Sequence, residues 1–148
     1  SNCEVGVLTQ QKIIKKENIN TFNNFKDAIK WNPSAAIIAS PASDHIWQAN
    51  ILLELGIPVL IEKPVGTGTE SENNLKNLLK YSTKTNAAVG YVLRHSPCAN
   101  FLKNKLREDK LGKIIEADFH CASWLPSWRE NDYRKSVSSQ RATGGGIL

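Results

Sequence analysis

The chain has 148 residues, 41% of them apolar and 22% charged, with 19 Lys plus Arg against 14 Asp plus Glu. A chain of that length buries roughly two-thirds of its unfolded surface without a disulfide or metal staple, and the composition disfavours disorder, collagen and coiled coil. The longest apolar runs, residues 35–39 and 57–61, fall far short of the roughly 20 residues of a membrane helix, and no charged-then-apolar leader opens the sequence. This predicts a cytoplasmic protein with no membrane partner. Cys3, Cys98 and Cys121 lie far apart with no C-x-x-C pair, so they are expected to be reduced core thiols with no metal site. The net charge of +5 is dispersed; the densest cluster, Lys12, Lys15 and Lys16, is followed by Glu17 and has no aromatic or Arg-rich stripe beside it. That pattern describes a solvated surface and not a nucleic-acid interface.

In chain order, residues 4–8 predict a strand, and Phe22, Phe25, Ala28 and Ile29 suggest a short helix before the Asn32-Pro33 break. Residues 35–39 are an all-apolar run ending at Ser40 and Pro41, the signature of a strand covered on both faces. A helix follows, with Ser43 as N-cap, Ile46, Ala49 and Leu53 on one face, and Gly56 at its end. Residues 58–61 give the next strand. Gly66, Thr67 and Gly68 then form a turn, Thr69 with Glu72 suits a capping box, and Leu75, Leu78 and Leu79 supply a buried stripe. Residues 87–93 predict another strand, after which Ser96 and Pro97 open a helix lined by Phe101, Leu102 and Leu106 and closed by Gly112. Alternating strands and helices joined by short turns specify a parallel, doubly wound α/β sheet. After Gly112 the rhythm changes: residues 114–123 alternate apolar and polar positions, as in a strand of a sheet with one wetter face. The expected division is therefore a partial dinucleotide-binding domain over residues 1–112 and, over 113–148, the first strand of a mainly antiparallel α+β domain.

In an open parallel sheet, ligands bind beyond the carboxyl ends of the strands. Ser40 and Pro41, with His45 in the next helix, follow the first of the clear strands; Glu62, Lys63 and Pro64 follow the second; Arg94 and His95 follow the third. A lysine at that edge can stabilise or protonate an alcohol or carbonyl oxygen, and a neighbouring glutamate can hold it in place. The bland alternative makes Glu62 and Lys63 a solvated turn pair and His45 a helix cap.

The ordered set Ala36-Ile37-Ile38-Ala39-Ser40-Pro41 with His45, Val59-Leu60-Ile61-Glu62-Lys63-Pro64-Val65, Gly90-Tyr91-Val92-Leu93-Arg94 with Pro97, Leu111-Gly112-Lys113-Ile114 and Gly144-Gly145-Gly146-Ile147-Leu148 resembles the glucose-fructose oxidoreductase/inositol dehydrogenase family, Gfo/Idh/MocA. Leu125-Pro126, Trp128-Arg129 and Asp132-Tyr133-Arg134 are similar to a subgroup of bacterial surface-sugar metabolism. The resemblance implies an NAD(P)-dependent oxidoreductase of a sugar or polyol, with Lys63 as the catalytic lysine and Glu62 placing it. It further implies Thr9, Ser40, Pro41, His45, Glu62, Lys63 and Arg94 at the cofactor, and Trp128, Arg129, Tyr133 and Arg134 toward substrate.

The family's opening strand and G-x-G-x-x-G turn are not found, and the one G-x-G, Gly66 to Gly68, has Ser71 in the third position. Residues 4–8 are similar to the family's second strand. The expectation is thus a fragment, inactive alone and holding no cofactor tightly, with open strand edges that favour homo-oligomers. No acid follows residues 4–8, where Thr9, Gln10, Gln11 and Lys12 stand, so the parent is expected to tolerate or prefer NADP. A non-catalytic binding or assembly module that keeps the fold without cofactor is the alternative.

Overall fold

A computed structural model describes residues 3–9, 19–108, 112–124, 126, 132–136 and 139–141. Five short parallel strands and four helices follow in the order β1 (Val5–Leu8), β2 (Ile19–Phe22), α1 (Phe25–Lys30), β3 (Ala36–Ile38), α2 (Ala42–Glu54), β4 (Val59–Ile61), α3 (Glu72–Ser82), β5 (Ala87–Val89) and α4 (Pro97–Arg107). β1 pairs with β2, and β3-β4-β5 form a second sheet, each sheet parallel throughout. Among the described residues β1 and β3 do not pair with each other, so each keeps one edge without a ladder partner.

The core lies between the β3-β4-β5 sheet and α2. Ile38, Val59 and Ile61 point from the strands against Ala49, Leu52 and Leu53, with Ile57 between them, and Phe25, Ile29, Leu78 and Tyr81 close the margins. Ile46, Ala49 and Leu53 recur at helical spacing, which is why one face of α2 is buried. The end of α2 is a Schellman motif: Gly56 N–H donates to the Leu53 carbonyl at 3.0 Å and Ile57 N–H to the Leu52 carbonyl at 2.9 Å, with Gly56 at φ +78°. Its start carries no side-chain cap, because the N-cap is Pro41 and not the expected Ser43; Asp44 in the first turn supplies the favourable negative charge. The sheet's other face is open, with Ile37 72% and Leu60 38% exposed. The expectation that β3 is covered on both faces is therefore corrected: composition marks a strand as apolar but does not say that both sides find partners.

Several boundaries also differ from expectation. Phe22 belongs to β2 and not to the following helix, whose N-cap is Asn24, accepting from Asp27 N–H at 2.9 Å. The cap of α3 is Ser71, which accepts from Asn74 N–H at 3.3 Å; Thr69 and Glu72 form no capping box. Of the expected leucine stripe only Leu78 is half-buried, while Leu75 and Leu79 are exposed. The strand expected over 87–93 stops at Val89, and Val92–His95 form a 3₁₀ turn. The helix α4 ends at Arg107 with Glu108 as C-cap, before Gly112, and Phe101, Leu102 and Leu106 are exposed. Residues 114–123 form no ladder and carry Ile115 and Phe119 in the open; alternation selects a face, but only hydrogen bonds to a neighbouring strand make a sheet. All three cysteines are free and exposed, and none is a core thiol. No helix among the described residues is long and apolar enough to cross a membrane.

Candidate functional site

The carboxyl ends of β3, β4 and β5 lie level because the register pairs Ile38 with Ile61 and Ile61 with Val89. The ladder runs one residue further on both sides of β4: Glu62 N–H donates to the Ile38 carbonyl at 2.9 Å, and Gly90 N–H to the Ile61 carbonyl at 2.8 Å. Beyond that last rung the chain leaves the sheet, so Ser40, Lys63 and Tyr91 emerge along one edge. Arg94 follows in the 3₁₀ turn, its N–H donating to the Tyr91 carbonyl at 3.0 Å.

The structure divides these residues into exposed and internal groups. Lys63 and Arg94 are exposed, and among the described residues the ion pairs are Lys30–Asp27, Lys76–Glu72 and Lys105–Glu108, which include neither. Two cations without a counter-ion thus stand at the end where a parallel sheet presents its ligands. Pro41 is exposed beside them, whereas the Ser40 hydroxyl donates inward to Gln48 Oε1 at 2.8 Å. Glu62 makes no salt bridge to the Lys63 ammonium; its Oε2 instead accepts from the Lys63 backbone N–H at 3.3 Å, so it fixes the lysine's backbone and not its charge. Gly90 faces that carboxylate closely enough that an added Cβ would lie 3.2 Å from Glu62 Oε1. The Lys63–Pro64 peptide bond is cis.

His45 is 2% exposed. Its Nδ1 lies 2.8 Å from the Pro64 carbonyl and its Nε2 2.8 Å from the Ser40 carbonyl. The ring therefore spans two loops, with each nitrogen at hydrogen-bond distance from a main-chain carbonyl.

The next turn contains the sequence's G-x-G, and its donors are occupied. The Glu70 carboxylate accepts from the N–H groups of Thr67 and Gly68, the latter at 2.8 Å, and from the Thr67 hydroxyl at 2.9 Å. Burial opposes ionisation of Glu70, but these hydrogen bonds outweigh it and hold the carboxyl below its ordinary value. An internal anion fills the cradle that a phosphate would need. Sequence reasoning missed this role of Glu70; the signal was a carboxylate two and three residues after a glycine turn, obscured by the competing capping-box reading.

Thr9 follows β1 on the other sheet, half-buried, its N–H donating to the Phe22 carbonyl at 3.3 Å. Tyr133 and Arg134 lie in a 3₁₀ turn capped by Asp132, with the Arg134 guanidinium 5.4 Å from the Tyr133 ring centre; the interactions described for them are local. Trp128, Arg129, Gln10, Gln11 and Lys12 lie outside the described residues. Among the described residues no three His, Cys, Asp or Glu side chains gather to hold a metal.

The carboxyl edge of the sheet thus carries exposed cations, and the N–H donors of the 66–70 turn are taken up by Glu70. Comparison with known proteins agrees with the fold. Residues 4–91 match the Gfo/Idh/MocA family, described as an oxidoreductase family with an NAD-binding Rossmann fold. The rhizopine catabolism protein MocA of Rhizobium meliloti is 27% identical over 131 residues, covering 88% of this chain and 38% of its own length. Inositol 2-dehydrogenase of Corynebacterium glutamicum is 30% identical over 95 residues, 64% of this chain and 28% of that protein. The crystal structure of myo-inositol 2-dehydrogenase from Lactobacillus plantarum superposes with a TM-score of 0.58 at 25% identity, over 65% of this chain and 29% of its own. The chain thus spans about two-fifths or less of the relatives it matches. With the family match running through both sheets and across the Lys63 edge, the chain belongs to the Gfo/Idh/MocA oxidoreductases.

Proposed function

We propose that this chain supplies the nicotinamide-side half of the cleft of an NAD(P)-dependent oxidoreductase acting on a secondary hydroxyl of an inositol-like polyol or a sugar. The observation that carries the reading is Lys63: an exposed lysine with no ion pair among the described residues, one residue past the last rung of a family Rossmann sheet. Its ammonium is the group to hold or move the proton at the reacting oxygen, and Glu62 fixes its backbone. Arg94 binds a polar part of substrate or cofactor from the adjacent turn, and Ser40 and Pro41 border the cofactor through their backbone and ring. A nicotinamide held at this edge beside Ser40, Pro41 and Arg94 would supply the hydride acceptor for the carbinol carbon. Tyr133 and Arg134, with Trp128 and Arg129, are the proposed substrate-side contacts, and the domain boundary is proposed at Gly112, which has φ +65°.

The finer proposals follow from particular residues. In the sequence after β1, Thr9, Gln10, Gln11 and Lys12 supply hydroxyl, amide and cationic groups and no carboxylate, which supports use of NADP as well as NAD. The unpaired edges of β1 and β3 among the described residues support association between copies. No G-x-G-x-x-G turn stands among these 148 residues to cradle a diphosphate, which supports weak cofactor binding by them alone. That lack also favours the second reading, an assembly module that binds no cofactor.

The test is oxidation of inositols and aldoses by the full-length oxidoreductase carrying this chain, followed as NADH or NADPH absorbance, with dissociation constants for both cofactors and light scattering of the 148-residue chain. Turnover of a polyol or sugar that depends on Lys63 is expected. Absence of cofactor binding by the full-length protein would leave the assembly reading in its place.

A further inference from the structure

We infer that His45 is a positioning residue for Lys63, acting as a strut between the loops that follow β3 and β4; the inference rests on the reading of Lys63 just given. Among the described residues, Ile61 and His45 are the largest fully buried side chains. A polar ring so enclosed must spend its hydrogen-bonding groups on internal partners, since leaving them unpaired away from water is costly. Its partners are main-chain carbonyls and both belong to the candidate site: Ser40, two residues past β3, and Pro64, next to Lys63. A neutral ring has one N–H to donate to one of them, and a doubly protonated ring donates to both. In either state the ring fills the space between the loops and sets their separation.

The lysine is held from two directions as a result. On its amino side, Glu62 N–H is the last rung to β3, and the Glu62 carboxylate accepts the Lys63 N–H. On its carboxyl side, the Pro64 carbonyl rests on His45, which is itself anchored in the first turn of α2 above the core residues Ala49, Leu52 and Leu53. The Lys63 side chain has no ion pair among the described residues to steer it, so the place from which it reaches is decided by its backbone. A displacement of about 1 Å at a reacting group can lower turnover on the order of 10²-fold. Without the ring, two carbonyls lose their common partner and the loop over residues 62–65 loses its hydrogen bond to α2.

The experiment combines backbone amide exchange in the 148-residue chain with a double-mutant cycle in the full-length oxidoreductase. His45→Ala is expected to speed exchange of the Glu62, Lys63 and Val65 amides while leaving Leu60 and Ile61 protected. It is expected to lower kcat about 10- to 100-fold with little change in cofactor KM. In the Lys63→Ala background the same change should lower kcat no further, although its effect on melting temperature should be equal in both backgrounds. His45→Gln, whose amide N–H can still reach one carbonyl, should recover part of kcat, and it carries the test if His45→Ala does not fold. Unchanged exchange at residues 62–65, or an equal fall of kcat in both backgrounds, would overturn the inference. Faster exchange together with a harmless Lys63→Ala would leave the strut standing and remove the proton-transfer role of Lys63.

Discussion

Gly90 and Glu62 face each other across the β4–β5 rung so closely that a single added carbon on Gly90 would touch the glutamate's carboxylate at 3.2–3.5 Å. The obstructing atoms are the far end of a flexible side chain, which can yield by a few tenths of an ångström. Gly90→Ala should therefore keep folding stability within about 1 kcal/mol while moving the Glu62 carboxylate away from the Lys63 N–H. Gly56→Ala is the opposite case: nothing lies within 4 Å of the added carbon, but φ is +78°, and the left-handed backbone costs roughly 1–2 kcal/mol. Thermal unfolding of both variants checks the contrast, and a larger loss at Gly90 than at Gly56 would refute it.

Lys63→Ala in the full-length oxidoreductase should lower kcat by about 10² or more, since positioned proton transfer and charge stabilisation are of that order. Cofactor dissociation constants should move by less than about tenfold. Stopped-flow and equilibrium titration separate the two quantities, and near-normal turnover would show that another group serves the reacting oxygen.

The core and the α3 surface should respond very differently to the same truncation. Leu53, 2% exposed, packs in the main cluster, and Leu53→Ala should destabilise by about 2–5 kcal/mol. Leu79 is 69% exposed, and Leu79→Ala should change stability by less than about 0.5 kcal/mol. Urea unfolding measures both; equal losses would mean that α3 packs its leucine stripe after all.

Two titrating groups should shape the pH dependence of stability in opposite arms. The Glu70 carboxyl is held below its ordinary value, so its contribution is complete above that value and disappears as pH falls through the lower folded one. Melting temperatures of wild type and Glu70→Gln should then converge in acid. Tyr81 donates its hydroxyl to Glu54 Oε1 at 2.9 Å, joining α3 to α2, and that hydrogen bond, with burial and the nearby charge, raises the phenol above its ordinary value. Its contribution holds below that ordinary value and is lost as pH rises through the raised one, so wild type and Tyr81→Phe should converge in alkali. A gap constant across either arm would assign the effect to packing.

Much of this architecture was legible in the sequence, and the part that was not has a physical reason. β3, β4 and the start of β5 announced themselves as short apolar runs bounded by Pro, Gly or Ser, and their shared direction placed Ser40, Lys63 and Arg94 at one edge. β2 was hidden because Asn20 and Thr21 interrupt its apolar ends, Ile19 and Phe22, leaving no alternation to detect. The cap at Ser71 lost to Thr69, another hydroxyl residue two positions away, whereas Pro41 was passed over because it has no side-chain acceptor and Ser43 beside it does. The dual bond of His45 is not a sequence property at all: it depends on a distance between loops separated by more than twenty residues, set only when the sheet is assembled.

The level ends of β3, β4 and β5 separate two sets of residues by height. Ile38, Val59 and Ile61 sit within the rungs and Lys63 and Arg94 beyond them, so the residues exposed at the edge are not those that hold the fold. Exchanging a side chain above the last rung leaves the packing beneath it intact, and the same scaffold can present different groups at that edge after a few surface changes. The parts least open to such drift are the buried ones that nonetheless reach the edge, His45 foremost, where a change of chemistry and a change of fold are one event.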